Sequence, residues 1–205
     1  MTHGDNSGLV LPPRIAPIQA VVIPIGMHKP GVLNKAAELV SRLKHDGVRV
    51  KCDESDQTPG WKFAEYEMKG VPLRIEVGPK DIENNQCVAV RRDTGEKASI
   101  PLGELESKIG ALLEDIQSSL FGRAKENLDR NTRSAATLDE AKAILKEHGG
   151  FIKTMWCGGR ECELKMKEEA DVTSRCLPFE QERVGEVCPL CGKASTKMVV
   201  WGVAY

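Results

Sequence analysis

The sequence predicts a mixed α/β domain of roughly 100 residues, followed by a smaller segment that carries most of the cysteines. Three stretches carry the prediction. IQAVVIPI (18–25) is an almost continuous apolar run, the pattern of a strand buried on both faces. VPLRIEVGP (71–79) alternates, with Val71, Leu73, Ile75 and Val77 on one face and Arg74 and Glu76 on the other. Between about Leu102 and Phe121, the residues Leu105, Ile109, Leu112, Leu113, Ile116 and Leu120 recur at helical spacing.

The remaining elements follow in order. Residues 1–17 form a lead-in rich in proline. After the first strand, Ala36, Leu39, Val40 and Leu43 mark a helix that Gly47 stops. VRVKC (48–52) reads as a second strand, DESDQTPG as a polar loop and GWKFAEYEMKG (60–70) as a short helix between glycines. CVAVRRDTGEKASIPL (87–102) reads as a hairpin turning at Asp93–Glu96. The order is β-α-β-α-β-β-β-α. Residues 122–135 are highly charged and read as a solvated helix or connector. Thr137 and Glu140 have the spacing of a capping box, starting a helix that ends at Gly149–Gly150. FIKTMW leads into a cysteine loop, ELKMKEEAD makes a short helix after Cys162, and KMVVWGVAY is strand-like.

Composition excludes several function classes. The chain has 205 residues, 40% hydrophobic and 29% charged, with a formal net charge of −1. No bulk basic field attracts nucleic acid, so any RNA contact must come from a local arrangement. No apolar run approaches the roughly 20 residues of a membrane span, and the MTHGDNSG start has no apolar core of a signal peptide. Seven cysteines without a secretion signal suggest a reducing compartment.

Four of those cysteines form two short loops, WCGGREC (156–162) and CPLCG (188–192), with 25 residues between them. Cys157, Cys162, Cys188 and Cys191 supply the four thiolates of a closed tetrahedral Zn²⁺ site, which is structural because no coordination position stays open. Two disulfides or buried thiols are the plainer alternatives. Cys52, Cys87 and Cys176 lie outside this spacing and read as small buried hydrophobes. No catalytic constellation is present: there is no nucleophile elbow or phosphate loop, and His3, His28, His45 and His148 are scattered. His45 and His148 sit near helix ends, where a cation suits the dipole. Glu65 and Glu67 next to lysines read as a solvated helix face.

THGDNSGLVLPPRIAPIQAVVIPI (2–25), GWKFAEYEMKGVPLRIEVGPKD (60–81) and the cysteine pattern ending in WGVAY closely resemble the archaeal/eukaryotic-type prolyl-tRNA synthetase family. The resemblance covers essentially the whole chain and implies the C-terminal part of such an enzyme. It implies a catalytic-domain remnant or linker at 1–17 and, at 18–118, a class II synthetase anticodon-binding domain with a mixed five-stranded sheet and flanking helices. At 119–205 it implies a small α+β zinc-binding domain. The expected partners are proline tRNA and the catalytic domain of the same enzyme, in the cytoplasm and without a membrane. The full enzyme is expected to be a homodimer, and this chain alone an inactive monomer. ATP and Mg²⁺ belong to the catalytic domain, which has no counterpart here.

Carried over from the family, Glu67, Arg74 and Lys80 contact the two guanines of proline anticodons, with Phe63 nearby. A carboxylate accepts from the Watson–Crick edge of guanine, and Arg or Lys donates to O6 and N7. Trp61, Phe63 and Tyr66 are candidate stacking partners, with core packing the alternative for Trp61 and Phe63. Arg74 could instead serve only a salt bridge with Glu76. Lys97 is a further candidate donor. The carboxylate of Tyr205 is expected to reach toward the active site of the full enzyme. The rival reading is a free-standing zinc-ribbon interaction module without RNA.

Overall fold

The computed structural model describes residues 3–203. They divide into two compact units, one ending at Arg123 and the other starting at Ala124, inside a single helix. Tyr205, singled out by the sequence, lies outside the described residues.

The first unit opens with a short hairpin, β1 (Gly4–Asp5) and β2 (Gly8–Leu9). Its sheet then alternates with helices: β3 (Ala20–Pro24), α1 (Val32–His45), β4 (Val50–Cys52), α2 (Pro59–Met68), β5 (Leu73–Val77), α3 (Pro79–Glu83), β6 (Gln86–Arg91), β7 (Lys97–Pro101) and α4 (Leu105–Arg130). The five strands lie in the order β4-β3-β5-β6-β7. β4, β3 and β5 are parallel, and β6 and β7 add antiparallel ladders. This is the expected mixed five-stranded sheet.

Every residue of β3 is buried because helices cover both faces. Ala20 and Val22 pack with Leu39 and Leu43 of α1 and Ile109 and Ile116 of α4. Val21 and Ile23 pack on the other face with Tyr66 of α2. β5 shows the expected alternation, with Leu73, Ile75 and Val77 in the larger core. Val71 departs from it. The residue precedes the strand and packs with Val21, Ile23 and Tyr66 on the α2 face, because the tight turn out of α2 breaks the period-2 alternation. Arg42 ties α1 to α4, with Nε and Nη2 donating to the two carboxylate oxygens of Glu106 at 2.6 and 2.7 Å.

The lead-in is built onto this unit. Gly70 adopts φ +70°, and a Cβ there would lie 2.6 Å from the Leu9 Cβ and 2.7 Å from its carbonyl. Gly70→Ala therefore combines left-handed strain with a backbone clash. It is expected to destabilise the first unit by about 1–3 kcal/mol, read as a lowered urea midpoint.

The second unit contains β8 (Thr132–Ser134), α5 (Leu138–His148), β9 (Phe151–Trp156), α6 (Arg160–Ala170), β10 (Thr173–Cys176) and β11 (Lys197–Gly202). The sheet order is β10-β11-β9-β8, with β8 parallel to β9 and the other pairs antiparallel. Ile152, Met166, Val172, Val199 and Trp201 form its core. The Trp201 indole N–H donates to Thr154 Oγ1 at 2.9 Å, which satisfies both buried polar groups. Thr137 caps α5 as expected by accepting from the Glu140 N–H, but the Glu140 carboxylate accepts from Ala136 N–H, one residue before the cap. The helix expected after Cys162 instead starts at Arg160, so Cys162 sits in its first turn. Cys87 is buried as expected; Cys52 is only half-buried and Cys176 is exposed, because β10 is an edge strand. No helix among the described residues is long and apolar enough to cross a membrane.

Candidate nucleic-acid interface and metal centre

The face of the sheet that carries α2 is covered at β3 and open beyond it. Arg74 and Glu76 of β5 point to this face, and the registers Arg74↔Val90, Glu76↔Val88 and Val90↔Lys97 continue it across β6 and β7. Between this open face and α2 lies a cleft of about 160 Å³, lined by Tyr66, Glu67, Val71, Arg74, Val90, Arg92 and Lys97 among others. One acceptor, Glu67, and two candidate donors, Arg74 and Lys97, thus converge in one place.

Arg74 is held from two sides. Its Nε donates to Glu76 Oε1 at 2.9 Å, and its guanidinium lies over the Phe63 ring, 4.1 Å from the centroid. The ion pair that the sequence offered as an alternative role therefore exists. It engages Nε, and the terminal Nη1/Nη2 pair is the end that a planar acceptor pair requires. Phe63 is half-buried and acts as a platform for Arg74, while Trp61 is 48% exposed and belongs to no core cluster. Tyr66 is a core residue. Burial first, then the neighbouring Asp53, pushes its phenol up to about 12.

Lys80 does not line the cleft. It stands exposed in α3, past the C-terminal end of β5. Three residues of this region escaped the sequence reading. Val90 supplies apolar floor and Arg92 a wall, and only the strand register brings them beside Glu67. The third is Lys62, a charged residue 1% exposed on the inner face of α2. Its ammonium donates to the Asp53 carbonyl at 2.9 Å and lies 3.6 Å from Asp53 Oδ1.

In the second unit, the Sγ atoms of Cys157, Cys162, Cys188 and Cys191 all lie within 4.8 Å of one another, so this cluster can hold a metal ion. Tetrahedral zinc with Zn–S near 2.3 Å would place them roughly 3.8 Å apart, a small adjustment. Cys157 follows β9, and Cys162 opens α6. The other knuckle is a tight turn in which Gly192 N–H donates to the Cys188 carbonyl at 2.9 Å. The Lys193 backbone N–H points at the Cys191 sulfur and brings that thiol down to about 7. Burial pushes Cys162 up to about 12. A metal ion takes cysteine as thiolate, so binding here would release protons. All seven cysteines are free thiols in this structure.

Residues 19–112 match the family described as anticodon binding domain, and residues 138–205 match prolyl-tRNA synthetase, C-terminal. Among curated relatives, proline–tRNA ligase 2 of Bacillus cereus (strain ZK / E33L) is 57% identical over 205 residues, all of this chain and 43% of the relative. Proline–tRNA ligases of Clostridium novyi (strain NT) and Clostridium botulinum (strain 657 / Type Ba4) are 58% and 55% identical over the same shares. The chain thus spans 43% of the length of these relatives. One match in each unit, together with identity above one half along the whole chain, shows that this chain belongs to the prolyl-tRNA synthetase family.

Proposed function

We propose that this chain recognises the anticodon of proline tRNA, as the C-terminal part of an archaeal/eukaryotic-type proline–tRNA ligase that attaches proline to tRNA with ATP. One observation carries the reading: Glu67, the Phe63-backed Arg74 and Lys97 share one open cleft. Glu67 accepts from the N1–H and N2–H of a splayed guanine, and the Arg74 fork donates to O6 and N7. The valine floor excludes water beneath the base. Lys80, beyond the cleft, serves the second guanine.

The four cysteines hold a structural Zn²⁺ that ties α6 to the 188–192 knuckle and leaves no position for substrate. ATP and Mg²⁺ act in the catalytic part of the ligase, and that part supports the homodimer. The setting is the cytoplasm.

Arg74→Ala is expected to lower affinity for a proline anticodon stem-loop by about 1–3 kcal/mol, the worth of a good bidentate base contact. Fluorescence titration checks this, with an unchanged urea midpoint as the folding control. Equal affinity of wild type and variant would remove Arg74 from the interface. A zinc-ribbon adaptor without RNA would not bind the stem-loop at all.

A further inference from the structure

Arg92 follows β6 and is almost enclosed, with 7% of its side chain exposed. Its Nε donates to the Glu67 backbone carbonyl at 2.9 Å. Its Nη1 and Nη2 donate to Asp5 Oδ2 and Oδ1 at 2.8 and 2.7 Å, a bidentate pair. Its own N–H donates to the Pro72 carbonyl at 2.9 Å. The Glu67 carbonyl belongs to the last turn of α2, where it also accepts from the Gly70 N–H at 3.0 Å and where the helix dipole is negative. The last turn of α2 contains no basic residue. Lys69, at the C-cap, pairs with Glu65, so Arg92, just past β6, is the cation that meets the Glu67 carbonyl.

Asp5 is fixed in turn. Its Oδ1 also accepts from Ser7 N–H at 2.8 Å, and hydrogen bonding to Arg92 holds its carboxyl down at about 2. The β1–β2 hairpin that carries Asp5 sits against the end of α2. A Cβ on Gly8 would lie 2.5 Å from the Met68 Cα. Arg92 therefore joins three segments of the chain at the residue whose side chain enters the cleft.

We infer that Arg92 is a positioning residue that sets Glu67 for reading guanine, with Asp5 as the anchor that orients Arg92. This rests on the proposed reading of Glu67. A lysine at 92 keeps the charge but cannot make three directed bonds at once. The last turn of α2 would then loosen, and the Glu67 carboxylate would lose its fixed distance to the base. The fold would persist, since Arg92 lies outside both apolar clusters of this unit.

The test pairs Arg92→Lys with stem-loops in which each anticodon guanine is replaced in turn by inosine, which lacks the N2 amino group. Wild type should prefer guanine to inosine about tenfold or more at one position, the value of a hydrogen bond to a carboxylate. Arg92→Lys should bind the native stem-loop about tenfold more weakly and bring that preference close to one. A full preference retained in Arg92→Lys, or an equal loss on guanine and inosine RNAs, would overturn the inference. If wild type shows no preference at either position, the Glu67 reading fails. Amide hydrogen exchange then judges the brace alone: faster exchange at residues 67–71 in Arg92→Lys and Asp5→Asn supports it, and unchanged exchange overturns it.

Discussion

Removing the metal from the four-cysteine cluster is expected to unfold the second unit while the first stays folded. Structural zinc contributes apparent free energies of about 10–16 kcal/mol in small zinc-bound folds, comparable with or above the whole stability of a domain. A metal held here would join Cys157 and Cys162, at the end of β9 and the start of α6, to the 188–192 knuckle. Without it, four thiols crowd within 4.8 Å of one another with nothing to hold them together. The first unit has its own core and no part in the cluster. The readout is near-ultraviolet circular dichroism. Trp156 and Trp201 report on the second unit and Trp61 on the first. A strong chelator should abolish the signal from the second unit, and Cys188→Ser should reproduce the loss. Cys176→Ser should not, because Cys176 lies outside the cluster. A full tryptophan signal in metal-free protein would mean that packing alone supports this unit.

Lys62→Ala should be the most damaging single change in the first unit outside its hydrophobic core. The ammonium is enclosed and paired with Asp53, whose carboxylate also accepts from the N–H and hydroxyl of Ser55 at 2.9 and 2.6 Å. Deleting one member of a buried pair leaves the other uncompensated and costs about 3–5 kcal/mol. Urea unfolding followed by circular dichroism should show a much lower midpoint with little change in slope. RNA affinity should fall in parallel, since Lys62 anchors the helix that presents Phe63 and Glu67. Lys62→Met together with Asp53→Asn removes both charges and should recover most of the stability. If Lys62→Ala alone costs less than about 1 kcal/mol, in the range of an exposed pair, the enclosed ion pair is not a structural anchor.

Lys62 also shows where sequence reading stops. In GWKFAEYEMKG its charge suggests a solvated face, whereas the inward stripe of the helix is Lys62 and Tyr66. Only the position of Asp53, at the end of a neighbouring strand, makes that burial tolerable, and residue spacing does not reveal it. β3 was legible because a continuous apolar run has few alternatives, and the Arg74–Glu76 side of β5 because it alternates. The short strands β1, β2, β8 and β10 were missed. Their two to four residues carry no periodicity and exist through tertiary pairing. The cysteine knuckles were legible as spacing, and the structure brings their four sulfurs together. Glu67 and Arg74 came from the family resemblance, and the structure adds why they lie together: α2 returns along the open sheet face and ends beside β5. Val90 and Arg92 belong to a different hairpin, so only the registers Arg74↔Val90 and Leu73↔Arg91 bring them to the cleft.

The central claim, guanine reading in the cleft between α2 and the open sheet, is tested most directly by titrating this chain with proline tRNA and with the same tRNA carrying adenine at each anticodon guanine in turn. The account predicts that each replacement weakens binding by about 1–3 kcal/mol and that Arg74→Ala abolishes the difference at one of the two positions. Equal affinity for the native and both replaced tRNAs would contradict it.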